Sequence, residues 1–396
     1  MFVAAFLVYD KFSTLKLSNY VKVEYRRRWR LVMRHHNTGG SLADLRRKQV
    51  RKLILSIFGC ILSVGLLGTL IIGGLIYQRS VVATDKMHHQ SAATTTASIN
   101  KDKPISILLL GTDTGDLGRT YKGRTDSIMV ATVIPKTRQV RLTSIPRDLI
   151  SKTPADAVET MGAYTKINSQ YTFGGIDGTV SYIQNLLNIP INYYALINMK
   201  GIKELTNAVG GIDVNVGWSW TDDDAGSQYH FKKGVQHLNG DQVLAYTRMR
   251  HHDPRGDYGR QERQRQVLTL ILKKVAATHS YSQYSRILKI LGDNVQTNVT
   301  STQLISLAKT YYPETKTITH DQLQGDGAMI DESAYQVVSD HELYRVSKKL
   351  RRDLGLTPVK TTLNNYNIEL NKLNPDFDFG KGGLDNTQTY HTGYEQ

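Results

Sequence analysis

The chain has 396 residues, 40% hydrophobic and 21% charged, which is ordinary for a globular protein with a sizeable core, and its formal net charge is +15. The basic excess is concentrated: residues 1–52 carry 13 Lys and Arg against 3 Asp and Glu, and the remainder only 37 against 32. The bulk of the chain is therefore not the basic body of a nucleic-acid-binding fold, and the single cysteine, Cys60, excludes disulfides and a thiol nucleophile from everything after it.

Residues 53–77 (LILSIFGCILSVGLLGTLIIGGLIY) form a run of 25 without a charge, long enough to cross a bilayer with some tilt. Tyr77-Gln78-Arg79 follows it rather than a small-residue cleavage site, so it reads as an uncleaved transmembrane helix. The positive-inside rule places the basic segment 1–52 in the cytoplasm and all that follows outside, as a single-pass protein of the cell membrane. The opening MFVAAFLVY is too short to span. A disulfide-free exported domain suits a bacterium.

Residues 78–103, polar and rich in Ser, Thr and Ala, read as a linker. From Pro104 the pattern changes: ISILLLG, SIMVATVIP and QVRLTSIPRD are strand-like apolar runs closed by glycine or proline. GTVSYIQNLLN sets Val180, Ile183, Leu186 and Leu187 at helical spacing, and MKGIKELTNAVGG predicts a helix stopped by paired glycines. IDVNV is strand-like. Residues 240–247 and 260–277 read as helices, the second with Val267, Leu268, Ile271, Leu272 and Val275 on one stripe. Helical patterns continue over 281–350, and the Asn-, Tyr- and Gly-rich residues 357–396 read as a disordered tail. Strands interleaved with helices predict an α/β layered domain over about residues 104–350.

Three polar groups stand at the ends of these apolar elements, where α/β folds place their sites. In GTDTGDLGRTYKGRTDS, Asp113 follows one strand, and Arg124 and Asp126 precede the next. Two carboxylates so placed suit one Mg²⁺ held with water; equally, Asp113 caps a turn and Asp126 pairs with Arg124. In the second group, Arg147 and Asp148 of IPRD are joined by Lys166 and Asn168 of KIN; an Arg-Asp dipeptide alone is ordinarily a surface pair of little worth.

The third group, RMRHHDPRGDYGRQERQR, has six arginines and no lysine between Arg248 and Arg265. A guanidinium fork grips two phosphate oxygens and stays charged when partly buried, so the run points to phosphate or pyrophosphate; the alternative is a charged helix face. Arg248 and Arg250, two apart, would share a face on a strand at 246–250. Arg260 and Gln264 share a helix face, and Asp257 before them would cap that helix or orient the arginines. Arg255, Arg263 and Arg265 are left to the solvated face. G-x-S-x-G, P-loop and H-E-x-x-H motifs are absent, and His251 and His252 lack a third zinc ligand.

With these residues assembled, the chain resembles the LytR-CpsA-Psr family of Gram-positive cell-wall enzymes, through ISILLLGTD, RTDSIMVATV, LTSIPRD, KINSQYTFGG, LINMKGIKELTNAVGGIDVNV, HLNGDQVLAYTRMR and DYGRQERQRQ, in order over residues 104–275. The resemblance implies a mixed central sheet flanked by helices in α-β-α layers. It also implies a phosphotransferase moving wall teichoic acid or another glycopolymer from undecaprenyl pyrophosphate to the C6 hydroxyl of peptidoglycan N-acetylmuramic acid. By motif, Asp113 and Asp126 would hold Mg²⁺. Arg124, Arg147, Lys166, Arg248, Arg250, Arg260 and Gln264 would surround the pyrophosphate, and the lipid would lie in an apolar channel between sheet and helices. Asp126, Arg147 and Asp257 are the expected catalytic residues, with Asp257 either the base for the acceptor hydroxyl or an orienter of arginine. Two rivals stand beside this: a membrane-anchored transcriptional regulator using the basic N-terminus, and a non-catalytic binder of polyprenyl pyrophosphate. No helix-turn-helix pattern supports the first, and basic segments beside a membrane span more commonly meet anionic lipid, so no nucleic-acid partner is expected.

Overall fold

Three apolar runs of the sequence make the centre of the fold. The computed structural model describes residues 73–114, 123–222, 228–250, 252–278, 280–311, 317–358, 363–380 and 388–394. Segment 1–52, residues 53–72 of the expected membrane span and His251 lie outside the described residues. Among the described residues no helix is long and apolar enough to cross a membrane.

Residues 73–87 form helix α1. Strands β1 (Ile105–Thr112), β2 (Thr125–Ile134) and β3 (Gln139–Ser144) pair antiparallel in sequence order. After the short antiparallel pair β4 (Ile150–Lys152) and β5 (Tyr164–Lys166) comes helix α2 (Ser169–Leu187), then β6 (Tyr193–Asn198), parallel to β1. Helix α3 (Met199–Ala208) runs to the Gly210-Gly211 pair, and both glycines have the positive φ that a helix stop uses. Strands β7 (Ile212–Val216), β8 (Trp220–Thr221), β9 (His230–Phe231) and β10 (Gly234–Leu238) make two small ladders, β7 with β10 and β8 with β9.

Helices α4 (Gly240–Arg248), α5 (Asp257–Ala276) and α6 (Tyr281–Asn294) follow, then β11 (Val295–Thr297), α7 (Ser301–Tyr311) and β12 (Thr317–Gln322). The hairpin β13 (Asp326–Ile330) and β14 (Ser333–Val337), helix α8 (Asp340–Asp353) and helix α9 (Tyr366–Lys372) complete the order. The main sheet reads β11-β6-β1-β2-β3-β12. It is mixed, because β6 joins β1 and β12 joins β3 in parallel while the other pairings are antiparallel.

The two-residue period of the strands assigns the two faces. Leu108, Leu110, Ile128, Val130, Tyr194 and Leu196 point into one core with Val180, Ile183, Leu186 and Leu187 of α2 and Leu343, Val346 and Leu350 of α8. The intervening Leu109, Met129, Ala195 and Ile197 face a cavity bounded by α3, α4, α5 and α6. Helices thus cover both faces, in α-β-α layers.

Three expectations need correction. The linker is not free: α1 carries the chain to residue 87 with Ala83 and Met87 buried, and beyond it Tyr194 donates its hydroxyl to the His89 carbonyl (2.7 Å) and Thr95 N–H to Ile191 O (2.8 Å). An extended segment held by single hydrogen bonds leaves no periodic signature. The stretch 281–350 is not helical throughout, since β11 to β14 interrupt it. The tail is folded where described: α9 packs Asn367 onto the Ile150 carbonyl (3.0 Å), Met329 N–H donates to Gln388 O (2.9 Å), and Tyr390 is 2% exposed. Its aromatic residues bury enough apolar surface to offset the ordering entropy of an otherwise polar segment. Tyr390→Ala should lower unfolding free energy by about 3 kcal/mol in urea titration; a disordered tail would give no change.

Candidate active site

Two cavities meet at the carboxyl end of β1. One, of about 740 Å³, is polar and is lined by Asp113, Arg124, Asp126, Arg147, Asp148, Lys166, Asn168, Arg250, Asp253 and Asp257, with Ala334, Tyr335 and Gln336 of β14. The other, of about 630 Å³, is the mainly apolar channel between sheet and helices. Its lining includes all five residues of the α5 stripe, Val267, Leu268, Ile271, Leu272 and Val275, and also Arg248, Arg260 and Gln264. Asp113, Asp126, Arg147 and Arg250 border both cavities, so the charged cleft and the apolar channel adjoin at these four side chains.

Local structure explains each placement. Asp113 leaves β1 and accepts Arg124 N–H on Oδ1 (3.0 Å), closing the loop between β1 and β2. Residue 123 must be glycine there, because a Cβ would stand 2.0 Å from that oxygen. Asp126 begins β2 and accepts from Arg147 Nη1 (2.7 Å). Arg147 Nε lies 3.5 Å from both Asp148 and Asp257, and Lys166 Nζ 3.3 Å from Asp148. Burial disfavours the Arg147 charge, but Asp126, Asp148 and Asp257 outweigh it and hold its pKa above the ordinary arginine value.

Asp257 opens α5 without capping it. Its Oδ1 accepts from Arg260 Nε (2.9 Å) and its Oδ2 from Gln261 Nε2 (3.0 Å). Burial would raise its pKa; Arg260 and Arg147 with these hydrogen bonds hold the carboxyl below the usual carboxylate range. Arg260 is 5% exposed, and burial is the main cause that lowers its pKa. Its Nη2, though 2.7 Å from Asp257 Oδ1, lacks hydrogen-bond alignment, and Arg147 Nε likewise has no hydrogen bond among the described residues. Both atoms are shielded from solvent and lie against carboxylates, which hold the two guanidiniums in place beside the cavities.

The third sequence group needs two corrections. Residues 246–250 are not a strand: the capping box of Asn239 and Gln242 starts α4, which runs through Arg248, and only Met249 turns extended. Arg248 and Arg250 still both border the channel, because the chain leaves the helix between them. Nor are Arg263 and Arg265 on a solvated face, each being 5% exposed. Arg263 donates to Asp253 and to the carbonyls of Tyr246 and Met249; Arg265 donates to Ser144 Oγ (2.6 Å) and Gln322 Oε1 (3.2 Å), tying α5 to β3 and β12. Arg255 is half-exposed and pairs with Asp253 and Glu262, close to expectation. Asp253, its side chain fully buried, was missed, as was β14, whose residues lie far along the sequence from every motif. Gly259 gave a signal in hindsight: a Cβ there would stand 1.7 Å from Asp253 Oδ2.

Fold and site together define an α-β-α domain with a charged cleft beside an apolar channel. Residues 73–352 match the LytR_cpsA_psr family, and the chain belongs to it. It is 40% identical over 307 residues to the polyisoprenyl-teichoic acid–peptidoglycan teichoic acid transferase TagU of Enterococcus faecalis, covering 77% of this chain and 98% of that protein. Among solved structures it is similar to B. subtilis TagV (36% identity, TM-score 0.55, 65% of this chain and 99% of that one). It is also similar to TagT bound to LI-WTA (25% identity, TM-score 0.56, 68% and 100%).

Removing Arg263 leaves Asp253 without its buried partner, so Arg263→Ala should cost about 3 kcal/mol of stability by denaturant titration. The folded-state pKa values of Asp253 and Asp257 lie below the unfolded value near 3.8. Their stabilisation is therefore present above that value and is lost as pH falls through the folded ones. Thermal melting should show a fall in acid below about pH 4, shallower in Asp257→Asn.

Proposed function

We propose that this protein is a phosphotransferase that moves a glycopolymer such as wall teichoic acid from an undecaprenyl-pyrophosphate carrier to the C6 hydroxyl of peptidoglycan N-acetylmuramic acid. The observation that carries this reading is the charged cleft adjoining the apolar channel at Asp113, Asp126, Arg147 and Arg250, an arrangement that suits the two ends of a lipid pyrophosphate. The TagU and TagV likenesses support it. The uncharged run 53–77 supports a single membrane span with the site outside the cell, at the Gram-positive membrane where such a lipid carrier resides.

Phosphoryl transfer needs little covalent help; it needs positioning and neutralised charge. The acceptor hydroxyl oxygen forms its bond to the phosphorus that bears the glycan while its proton passes to the departing phosphate, the bridging P–O bond breaks, and undecaprenyl phosphate leaves. Arg147, which borders both cavities, and Arg260, which borders the channel, hold the non-bridging oxygens, and Arg248, Arg250 and Gln264 hold the lipid phosphate at the channel mouth. Arg124 and Lys166 neutralise the glycan side of the cleft.

Asp113 and Asp126 fit Mg²⁺. Two carboxylates beside a phosphate site are a usual protein contribution, substrate oxygens and water completing the shell, and Asp126 Oδ2 carries no hydrogen bond among the described residues. No group of three or more His, Cys, Asp or Glu side chains that could hold a metal occurs among the described residues. When bound, the ion would draw charge from the phosphoryl oxygens. Asp257 acts through Arg147 and Arg260 rather than as the proton acceptor, because both of its oxygens already accept hydrogen bonds and its pKa is held low.

Incubating the full-length protein in detergent with polyprenyl-pyrophosphate-linked glycan, Mg²⁺ and a peptidoglycan oligomer should yield the phosphodiester product by mass spectrometry. Asp126→Ala should slow it by about a hundredfold or more. EDTA should stop it and added Mg²⁺ restore it. Absence of product, or turnover unchanged in Asp126→Ala, sinks the enzyme reading; binding of the lipid without turnover leaves a carrier-binding protein.

A further inference from the structure

Beyond residue 352, where the family match ends, the chain makes a clamp that none of the site motifs contains. Helix α9 and its flanks carry four asparagines whose side-chain amides each close a backbone carbonyl. Asn365 donates to Leu186 O at the end of α2 (2.9 Å), Asn367 to Ile150 O of β4 (3.0 Å), Asn371 to Val338 O after β14 (2.9 Å) and Asn374 to His391 O (2.7 Å). The amide oxygens are used as well. Asn365 Oδ1 accepts Ile368 N–H, Asn367 Oδ1 the Tyr182 hydroxyl and Asn371 Oδ1 the Tyr390 hydroxyl, while the Asn371 amide also meets Asp340. Asparagine suits this because one short side chain both donates and accepts, closing carbonyls that no strand or helix reaches.

Two of these bonds lie next to the backbone that supports the charged cleft. Leu149 bridges Gln336 of β14, and Gln336 N–H donates to Asp148 O (2.9 Å). Ile150 and Val338 stand just past that bridge, one on each strand, and there Asn367 and Asn371 grip them. Asp148 stands just before it. Its carboxylate lies 3.5 Å from Arg147 Nε and 3.3 Å from Lys166 Nζ, and Lys166 is the β5 partner of Ile150 itself.

We infer that α9 is a positioning element of the active site, in which Asn367 and Asn371 act through Asp148 to hold Arg147 and Lys166 where the diphosphate is received. The inference rests on the lipid-pyrophosphate reading above. Strands β4 and β5 have only three residues each, too few to fix this backbone alone. A carboxylate orients two cations only if its own backbone holds still, and a misplacement of about 1 Å is enough to slow a reaction about a hundredfold.

A double-mutant cycle on the full-length protein in detergent tests this. It has two readouts: phosphodiester formation from polyprenyl-pyrophosphate-linked glycan, and affinity for geranylgeranyl diphosphate. Asn371→Leu keeps the size of the side chain but cannot donate; it should slow turnover about tenfold and weaken the diphosphate about threefold. In an Asp148→Asn background, where no carboxylate holds the two cations, the same substitution should change both by less than about twofold. Asn371→Ser, which shortens the side chain, repeats the cycle should the leucine variant not fold. A purely stabilising tail predicts no loss in the folded protein, or equal losses in both backgrounds, and either result overturns the inference. A wild type that binds the diphosphate without forming product overturns the transferase reading, and the affinity arm then decides the clamp. A wild type that binds no diphosphate overturns both.

Discussion

Three arginines of α5 are buried, and much of the site follows from the need to satisfy them. Arg260, Arg263 and Arg265 leave the helix in different directions, and a guanidinium removed from water is tolerated only with carboxylate or carbonyl partners. Asp257 answers Arg260. Asp253 and two carbonyls at the end of α4 answer Arg263, and Ser144 and Gln322 answer Arg265. These contacts fasten α5 to α4 on one side and to β3 and β12 on the other. Helix α5 can therefore roof the sheet without filling the space above β1 and β2.

The same helix changes character along its length. Its first turns carry the arginines and the last carry Val267, Ile271 and Val275, so one element lines a charged cleft at one end and an apolar channel at the other. Arg147 is the junction. Held by Asp126 from β2, Asp148 beside it and Asp257 from α5, it joins sheet, loop and helix through one guanidinium at the border of the two cavities. A diphosphate entering there would meet donors whose orientation is already fixed, so little would have to reorganise on binding.

Much of this was legible because the relevant signals are local. β1 to β3, the α2 stripe, the glycine stop of α3 and the apolar stripe of α5 follow from period and punctuation. Asp113, Asp126 and Arg147 stand at strand ends where a chain must present polar groups. Residues 246–248 are helical rather than extended because the capping box at Asn239 starts a helix that runs on through Arg248, and a spacing of two between arginines does not oppose it. Arg263 and Arg265 were left to solvent because a charge is ordinarily exposed, and the partners that permit their burial lie 10 to 121 residues away. The tail after residue 357 was misread for a similar reason. Its composition is polar, but Tyr390 finds the back of β13 only in three dimensions.

By itself the sequence determined which residue types stand at the ends of which elements, and so which arginines and aspartates stand beside an apolar surface. Only the tertiary structure decided that cleft and channel adjoin, that Asp257 is paired with Arg260, Gln261 and Arg147, and that residues of β14 line the cleft. The physical reason is range. Period, capping and strand ends are set by neighbours a few residues apart, whereas burial of a charge and the shape of a cavity depend on side chains that meet only after the sheet and its helices have packed.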